Sequence, residues 1–353
     1  MNAPCPLLRT LALLSLAGCT SSSVAIPFVS QAGSQPLHLG NALPAHAIIG
    51  FSVDTPQRVA IAAKQGVTTT ILYSGSPTPN SALAKALQAG GVNVIDGSLS
   101  GYLFYWECHR THTVAPPPKS YGKNSYCSTD EDPRFDSDAA VLRAVRAQLA
   151  RDAKRPYVVG YWVLDDWPWW DSGSGRTLVQ SVHALIAAKA PGRPAICGFG
   201  AGIGRGHHYF WDPGTGKNYS NAGCDVVGWY NYSSFGRTRP SMGTFLNWSM
   251  TGLLAAMGHT LANYGWNIAQ TPLYGIGQAW AGSYDGPYYQ PGLTVAEMQT
   301  QAAAFCRFGA KYVGWYAWDD SGYNARTQTP DDSATIGAGI GAGIDACKQI
   351  WKG

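Results

Sequence analysis

Tyr157-Val158-Val159-Gly160-Tyr161-Trp162-Val163-Leu164-Asp165-Asp166 is a continuous apolar run closed by two carboxylates. A strand with one solvated face alternates apolar and polar residues, whereas one covered on both faces reads as unbroken, so 157–165 predicts a central strand of a parallel sheet. Its pattern returns twice, as Val227-Gly228-Trp229-Tyr230 and Val313-Gly314-Trp315-Tyr316. A glycine followed by aromatics suits a barrel interior, where a small residue lets a large neighbour turn inward.

Working outward, seven more β-rich runs alternate with helical patterns: Ile48 to Asp54, Val67 to Gly75, Val92 to Leu99 (with an extension over Tyr102 to Glu107), Pro194 to Gly200, Asp225 to Tyr232, Pro272 to Trp280 and Tyr312 to Asp319. The helical segments include Leu178, Val182, Leu185 and Ile186 before Pro191. Another opens on the capping box Thr294-Val295-Ala296-Glu297, and a last one runs Ile336, Ile340, Ile344, Cys347, Trp351. Eight βα units over about 300 residues predict an α/β fold, a single (β/α)8 TIM barrel with long loops. An open doubly wound sheet is the competing architecture, but the first βα turn has no glycine-rich phosphate loop, and Gly198 to Gly204 fits GxGxxG in no register. That stretch reads as a loop after strand five. The four glycines of the last helix, Gly337, Gly339, Gly341 and Gly343, lower its propensity and suggest close packing.

The composition sets the functional classes. With 45% hydrophobic and 13% charged residues, 13 Trp and 19 Tyr, the 353-residue chain must build a large core or an aromatic cleft. A net charge of +4, scattered along the chain, argues against nucleic acid, and no cofactor signature is present. Walker loop, HExxH, G-x-S-x-G and CxxC motifs are all missing from the sequence. A metal reading has only Glu107 with His109 and His112, and His207-His208, to draw on; no metal and no cofactor are expected.

Six cysteines, Cys108, Cys127, Cys197, Cys224, Cys306 and Cys347, follow the two of the N-terminal region. They permit 15 pairings, and their spacing suggests the local disulfides Cys108–Cys127, Cys197–Cys224 and Cys306–Cys347. The N-terminus itself, an apolar run ending in Leu16-Ala17-Gly18-Cys19, resembles a bacterial lipoprotein signal. That resemblance implies a signal peptide over 1–18, lipid on Cys19, a tether over 19–44 and a catalytic domain over 45–353, exported and lipid-anchored at the cell envelope or surface. The only membrane contact is then the lipid, and a monomer is expected. An ordinary cleaved signal is the alternative.

In such barrels chemistry sits at the carboxyl ends of the strands. Strand one ends at Asp54, the third unit reaches Glu107, strand four ends Asp165-Asp166-Trp167, and strand eight ends Trp318-Asp319-Asp320. Acids amid tryptophans are candidates for paired acid and base or nucleophile chemistry. The catalytic candidates are therefore Asp165, Asp166, Asp319, Asp320 and Glu107. A helix cap is the competing role, strongest for Asp54. Within each pair the two-residue period of a strand favours Asp166 and Asp320, while a bulge would favour Asp165 and Asp319. Sugar rings stack on aromatics and need polar partners for their hydroxyls, which makes Asp54, Tyr73, Trp167, Tyr230, Asn231, Tyr232, Gln278, Trp280 and Trp318 candidate substrate contacts.

With these termini the chain resembles the (β/α)8 glycoside hydrolase superfamily in a general way, over about 300 residues. It lacks both the Asn-Glu ending of strand four and the DxxDxDxE signature found in particular families. The resemblance implies hydrolysis of a glycosidic bond in a poly- or oligosaccharide by two carboxyls. The alternative is a glycan-binding surface lipoprotein that keeps the barrel without the reaction.

Overall fold

The computed structural model describes residues 42–113, 133–165, 173–199, 223–234, 270–283, 289–319 and 328–353. Eight parallel strands close into a barrel: β1 (Ile48–Phe51), β2 (Thr69–Leu72), β3 (Asn93–Asp96), β4 (Val158–Leu164), β5 (Ala195–Phe199), β6 (Val226–Tyr230), β7 (Leu273–Gln278) and β8 (Tyr312–Tyr316). Neighbours in sequence are neighbours in the barrel, and β1 closes on β8 with Ile48 opposite Val313. Each strand falls within its expected run, and closure removes the open doubly wound alternative.

Seven helices lie among the described residues: α1 (Pro56–Gln65), α2 (Ala82–Gly90), α3 (Ser98–Thr113), α4 (Asp138–Asp152), α5 (Gly173–Lys189), α6 (Val295–Arg307) and α7 (Ala334–Lys352). None is long and apolar enough to cross a membrane. The capping box forms as read: Glu297 accepts from the Thr294 N–H at 2.8 Å, and Thr294 Oγ1 accepts from the Glu297 N–H at 3.3 Å. One expectation fails. Tyr102 to Glu107 does not extend strand three but belongs to α3, because Leu99, Leu103 and Trp106 are buried at helical spacing. Glu107 is therefore a helical residue, not a strand terminus.

The strands divide the apolar residues into two clusters. The inner one holds Ile49, Phe51, Ile71, Ile95, Val159, Trp162, Ile196, Val226, Tyr230, Tyr274 and Ile276, joined by Leu43 and Ala47 ahead of β1. The outer one fills the space between sheet and helices, with Val94, Tyr161, Trp229, Val313 and Trp315 meeting Leu149, Val182, Phe305 and Ile340. Inward glycines make the aromatic interior possible. A Cβ on Gly198 would lie 2.3 Å from the Trp162 ring, and one on Gly228 would lie 3.2 Å from it. At Gly314 a Cβ would meet the Ile49 carbonyl at 1.8 Å.

The glycines of α7 act in the same way. Cβ atoms on Gly339 and Gly343 would come within 2.3 Å of Met298 and 2.7 Å of Trp315. Bare backbone there lets α7 settle onto α6 and β8, and Gly341 meets nothing. Among the described residues two disulfides are present, Cys197–Cys224 with a Cα separation of 5.9 Å and Cys306–Cys347 with 5.5 Å. The first joins β5 to the approach to β6, and the second staples α6 to α7. Cys108–Cys127 lies outside what can be described, since Cys127 is not among the described residues.

Candidate functional site

Two register shifts in β4 decide what its end presents. Val94 pairs with Val158 but Ile95 with Gly160, and Trp162 pairs with Ile196 but Leu164 with Cys197. Strict alternation would send Trp162, Leu164 and Asp166 inward together. Instead Trp162 lies in the inner cluster, while Val163 and Leu164 both lie in the outer one. Asp165 then turns to the interior, only 8% exposed, and accepts a hydrogen bond from the Tyr230 hydroxyl at 2.8 Å.

Around Asp165 stand phenols from three further strands. Tyr73, just past β2, brings its phenol beside both Asp165 and Tyr230. Burial and the nearby Asp165 charge push the phenols of Tyr73, Tyr230 and Tyr274 well above the usual tyrosine range. They are therefore neutral hydrogen-bond donors at any physiological pH. Phe51 sits at the hub, its ring centroid 5.3 Å from Trp162, 5.7 Å from Tyr230 and 5.4 Å from Tyr316. Tyr232 packs edge-on to Trp280 at 5.4 Å and lies 5.9 Å from Tyr316. Tyr73, Tyr232 and Tyr316 are partly exposed, whereas Trp280 is buried. Asp165, Tyr73, Tyr230 and Tyr232 are thus brought together, as a carboxylate set in an aromatic cup.

Other candidates are placed elsewhere. Arg58, in the first turn of α1, donates to Asp54 at 2.6 Å, Asp319 at 2.9 Å and Asp331 at 2.6 Å. Burial works against its charge, but the bonds from Asp331, Asp54 and Asp319 outweigh that and push the guanidinium pKa up. Asp54 and Asp319 are therefore held in a charge cluster across the β1–β8 seam; the cap of α1 is Thr55, not Asp54. Arg58 was not among the sequence candidates, although its position four residues after Asp54 is the ordinary spacing of a helical ion pair.

Trp318 does not follow Tyr316 inward. Ala317 takes the next inner position, and Trp318 joins the outer cluster against Gly50, where a Cβ would lie 2.7 Å from its ring. Gln278 is buried with both ends of its amide committed: its nitrogen donates to the Trp280 carbonyl at 2.9 Å, and its oxygen accepts from the Ser234 N–H at 3.2 Å. It shapes loops instead of facing the cup. Asn231 is fully buried, and its carbonyl accepts from Gln301 of α6 at 3.0 Å. Asp166, Trp167 and Asp320, like His207 and His208, fall outside the described residues, and so do the side chains of Glu107 and Cys108. No group of three or more metal-ligating side chains occurs among the described residues.

A second pair of buried acids lies outside the barrel. Asp96 ends β3 facing α4 and accepts from Gln148 at 2.8 Å, the Ser76 N–H at 2.6 Å and the Ser98 N–H at 2.9 Å. Asp152, fully buried, accepts from Gln148 at 3.2 Å and contacts Ser76 and Arg155. Burial, then the Asp96 charge, pushes Asp152 up to about 6. These bonds are internal to the wall between sheet and helix, so the network holds structure.

Comparison with known proteins follows the fold. Neither a family model nor a curated protein matches the sequence. Among solved structures, the chain is similar to β-galactosidase from the psychrophilic Marinomonas ef1, with a TM-score of 0.56 and 11% identity over 86% of this chain and 59% of that one. It is also similar to Ruminococcus gnavus β-glucuronidase (TM-score 0.51, 12% identity, 88% and 50% covered). The endo-1,4-β-mannanase from Rhizomucor miehei gives a TM-score of 0.52 at 10% identity, covering 88% of this chain and 95% of that one. The chain spans less than two thirds of the first two enzymes and nearly all of the third. At such identities the likeness is one of fold: this chain has the eight-stranded barrel on which those glycoside hydrolases are built.

Proposed function

We propose that the protein is a glycoside hydrolase acting on a poly- or oligosaccharide, with Asp165 as one of its two carboxyls. The observation that carries this reading is the placement of Asp165: a nearly buried carboxylate turned inward at the carboxyl end of β4 by a register shift, beneath partly exposed tyrosines. A sugar lying against Tyr73, Tyr232 and Tyr316 would offer its C–H faces to the rings and its polar atoms to Asp165. Asp320 and Glu107 remain the candidates for the second carboxyl. Hydrolysis needs two such groups about 5 to 9.5 Å apart, and Asp319 is engaged by Arg58.

That engagement favours a second reading, a glycan-binding protein on the same scaffold, because two of the sequence's rim acids serve the seam instead of the cup. One experiment separates the two. The soluble chain is incubated with a panel of polysaccharides and new reducing ends are followed, alongside Asp165→Asn. Hydrolysis predicts cleavage of at least one polymer and a loss of about 10²- to 10⁴-fold in the variant with glycan affinity retained. Full activity in Asp165→Asn would remove Asp165 from the reaction, and binding without cleavage would establish the second reading. The proposal extends to location: lipid on Cys19 would hold the enzyme at the envelope. Membrane fractionation of wild type and Cys19→Ala tests this, equal solubility refuting it.

A further inference from the structure

Asp165 is contacted by more than one phenol, and the arrangement is directional. Tyr230, the last residue of β6, donates to Asp165 Oδ1 at 2.8 Å. Tyr73, one residue past β2, brings its phenol beside the same carboxyl and beside Tyr230. The two phenols thus arrive from either side of β4 in the barrel order, Tyr230 on a strand fixed by parallel pairing and Tyr73 one residue past the end of another. Phenols on which the Asp165 charge acts come from several elements: Tyr73 after β2, Tyr230 of β6 and Tyr274 of β7, with Tyr316 of β8 and Tyr232 next to them. A neutral phenol donates a hydrogen bond to a carboxylate more strongly than to a carboxylic acid. Such donors therefore stabilise the ionised form and fix the rotamer.

We propose that Tyr230 and Tyr73 are positioning residues that hold Asp165 as the ionised member of the carboxyl pair, leaving the proton-donor role to the other carboxyl. This rests on the reading of Asp165 as one of that pair. The polarity it assigns is the opposite of what burial alone would give, since an apolar pocket raises a carboxyl and makes it an acid. Tyr274 supplies the internal control. Its ring is part of the same inner cluster and feels the Asp165 charge, yet its hydroxyl has no hydrogen-bond partner among the described residues.

The test reads Asp165 directly and needs no substrate. The full soluble chain carrying ¹³C-labelled aspartate is titrated by NMR, with the Asp165 signal assigned from Asp165→Asn, in wild type and in Tyr230→Phe, Tyr73→Phe and Tyr274→Phe, each checked for native near-UV circular dichroism. Removing one charge-assisted bond should raise the Asp165 midpoint by about one pH unit or more. Tyr230→Phe should show the rise, Tyr73→Phe, whose phenol lies beside the carboxyl, a smaller one, their double variant the largest, and Tyr274→Phe should leave the midpoint within a few tenths. An unchanged or lowered midpoint in Tyr230→Phe overturns the proposal, and so does an equal rise in Tyr274→Phe. The outcome is independent of turnover: shifts as expected with no polysaccharide ever cut would sink the hydrolase reading alone, and cleavage without the shifts would sink this one alone.

Discussion

Gly198→Ala, made alone and together with Trp162→Phe, probes the packing that lets the barrel interior be aromatic. The new methyl would stand 2.3 Å from Cζ2 and Cη2 of the Trp162 indole and 3.1 Å from the Tyr230 ring. Carbon atoms rest about 3.5 to 4.0 Å apart, so the indole would have to retreat by more than an ångström. It has little room, being packed edge-on against Phe51 at 5.3 Å, Tyr230 at 6.2 Å and Tyr274 at 6.4 Å. Overpacking of this kind costs about 1 to 3 kcal/mol, offset by roughly 0.5 to 1 kcal/mol because alanine loses less backbone entropy than glycine.

Trp162→Phe alone removes the colliding edge and leaves a cavity, a loss of about 1 to 3 kcal/mol by the usual scale of large-to-small changes. In the double variant the methyl enters the space that the indole vacates. It should therefore be less destabilised than the sum of the singles by about 1 to 2 kcal/mol, well above the ~0.5 kcal/mol scatter of independent sites. Urea unfolding with the disulfides intact, with m-values compared across the four proteins, measures the cycle. Additivity, or a Gly198→Ala protein as stable as wild type, would refute the claim that this glycine exists to admit the indole.

Arg58→Ala should destabilise by about 1 to 2 kcal/mol, between the values for exposed and buried ion pairs, because it leaves Asp54, Asp319 and Asp331 repelling one another across the β1–β8 seam; molar salt should shrink the loss, and a salt-independent effect would argue against it. Asp152 bears on pH. Its carboxyl is raised from 3.8 to about 6, so between those values the folded chain binds more protons than the unfolded one and stability falls as pH rises. Asp152→Asn should flatten that decline in melts recorded from about pH 4 to 6, and an unchanged slope counts against the assignment. Peptide mapping without reduction should recover Cys197–Cys224 and Cys306–Cys347, and the expected Cys108–Cys127; a different linkage of Cys108 would revise the cysteine reading.

The barrel was legible because buried parallel strands announce themselves as unbroken apolar runs, and the runs closing on Asp54, Asp165 and Asp319 all contain strands. The site was legible only in outline. Which of Asp165 and Asp166 faces inward depends on two register shifts in β4, and no local pattern in Val158 to Leu164 encodes them. Trp318 was misplaced for the same reason: the alternation that carries Tyr316 inward is broken at Ala317. The Tyr102 to Glu107 stretch is rich in aromatics and so reads as strand by propensity, but the spacing of Leu99, Leu103 and Trp106 is helical, and burial in the outer cluster decides it. Arg58 draws together acids 4, 261 and 273 residues away in the chain, a convergence that only the closed ring creates. Gln278 looked like a sugar contact because it ends a strand; its neighbours Trp280 and Ser234 instead take up its amide.

Closure through β1 and β8 also governs the order in which the molecule can be completed. Ile48 pairs with Val313 and Gly50 with Trp315, so the first strand made waits for the last before its second edge is covered. Contacts of such long sequence separation slow folding, because chain entropy is lost before they return any stabilisation. Until β8 and the α7 glycines that seat against Met298 and Trp315 have emerged, the partial sheet carries two open edges, the kind of surface that recruits other chains. A nascent or truncated chain ending before Tyr312 is thus an aggregation hazard, its two edges uncovered until the ring closes.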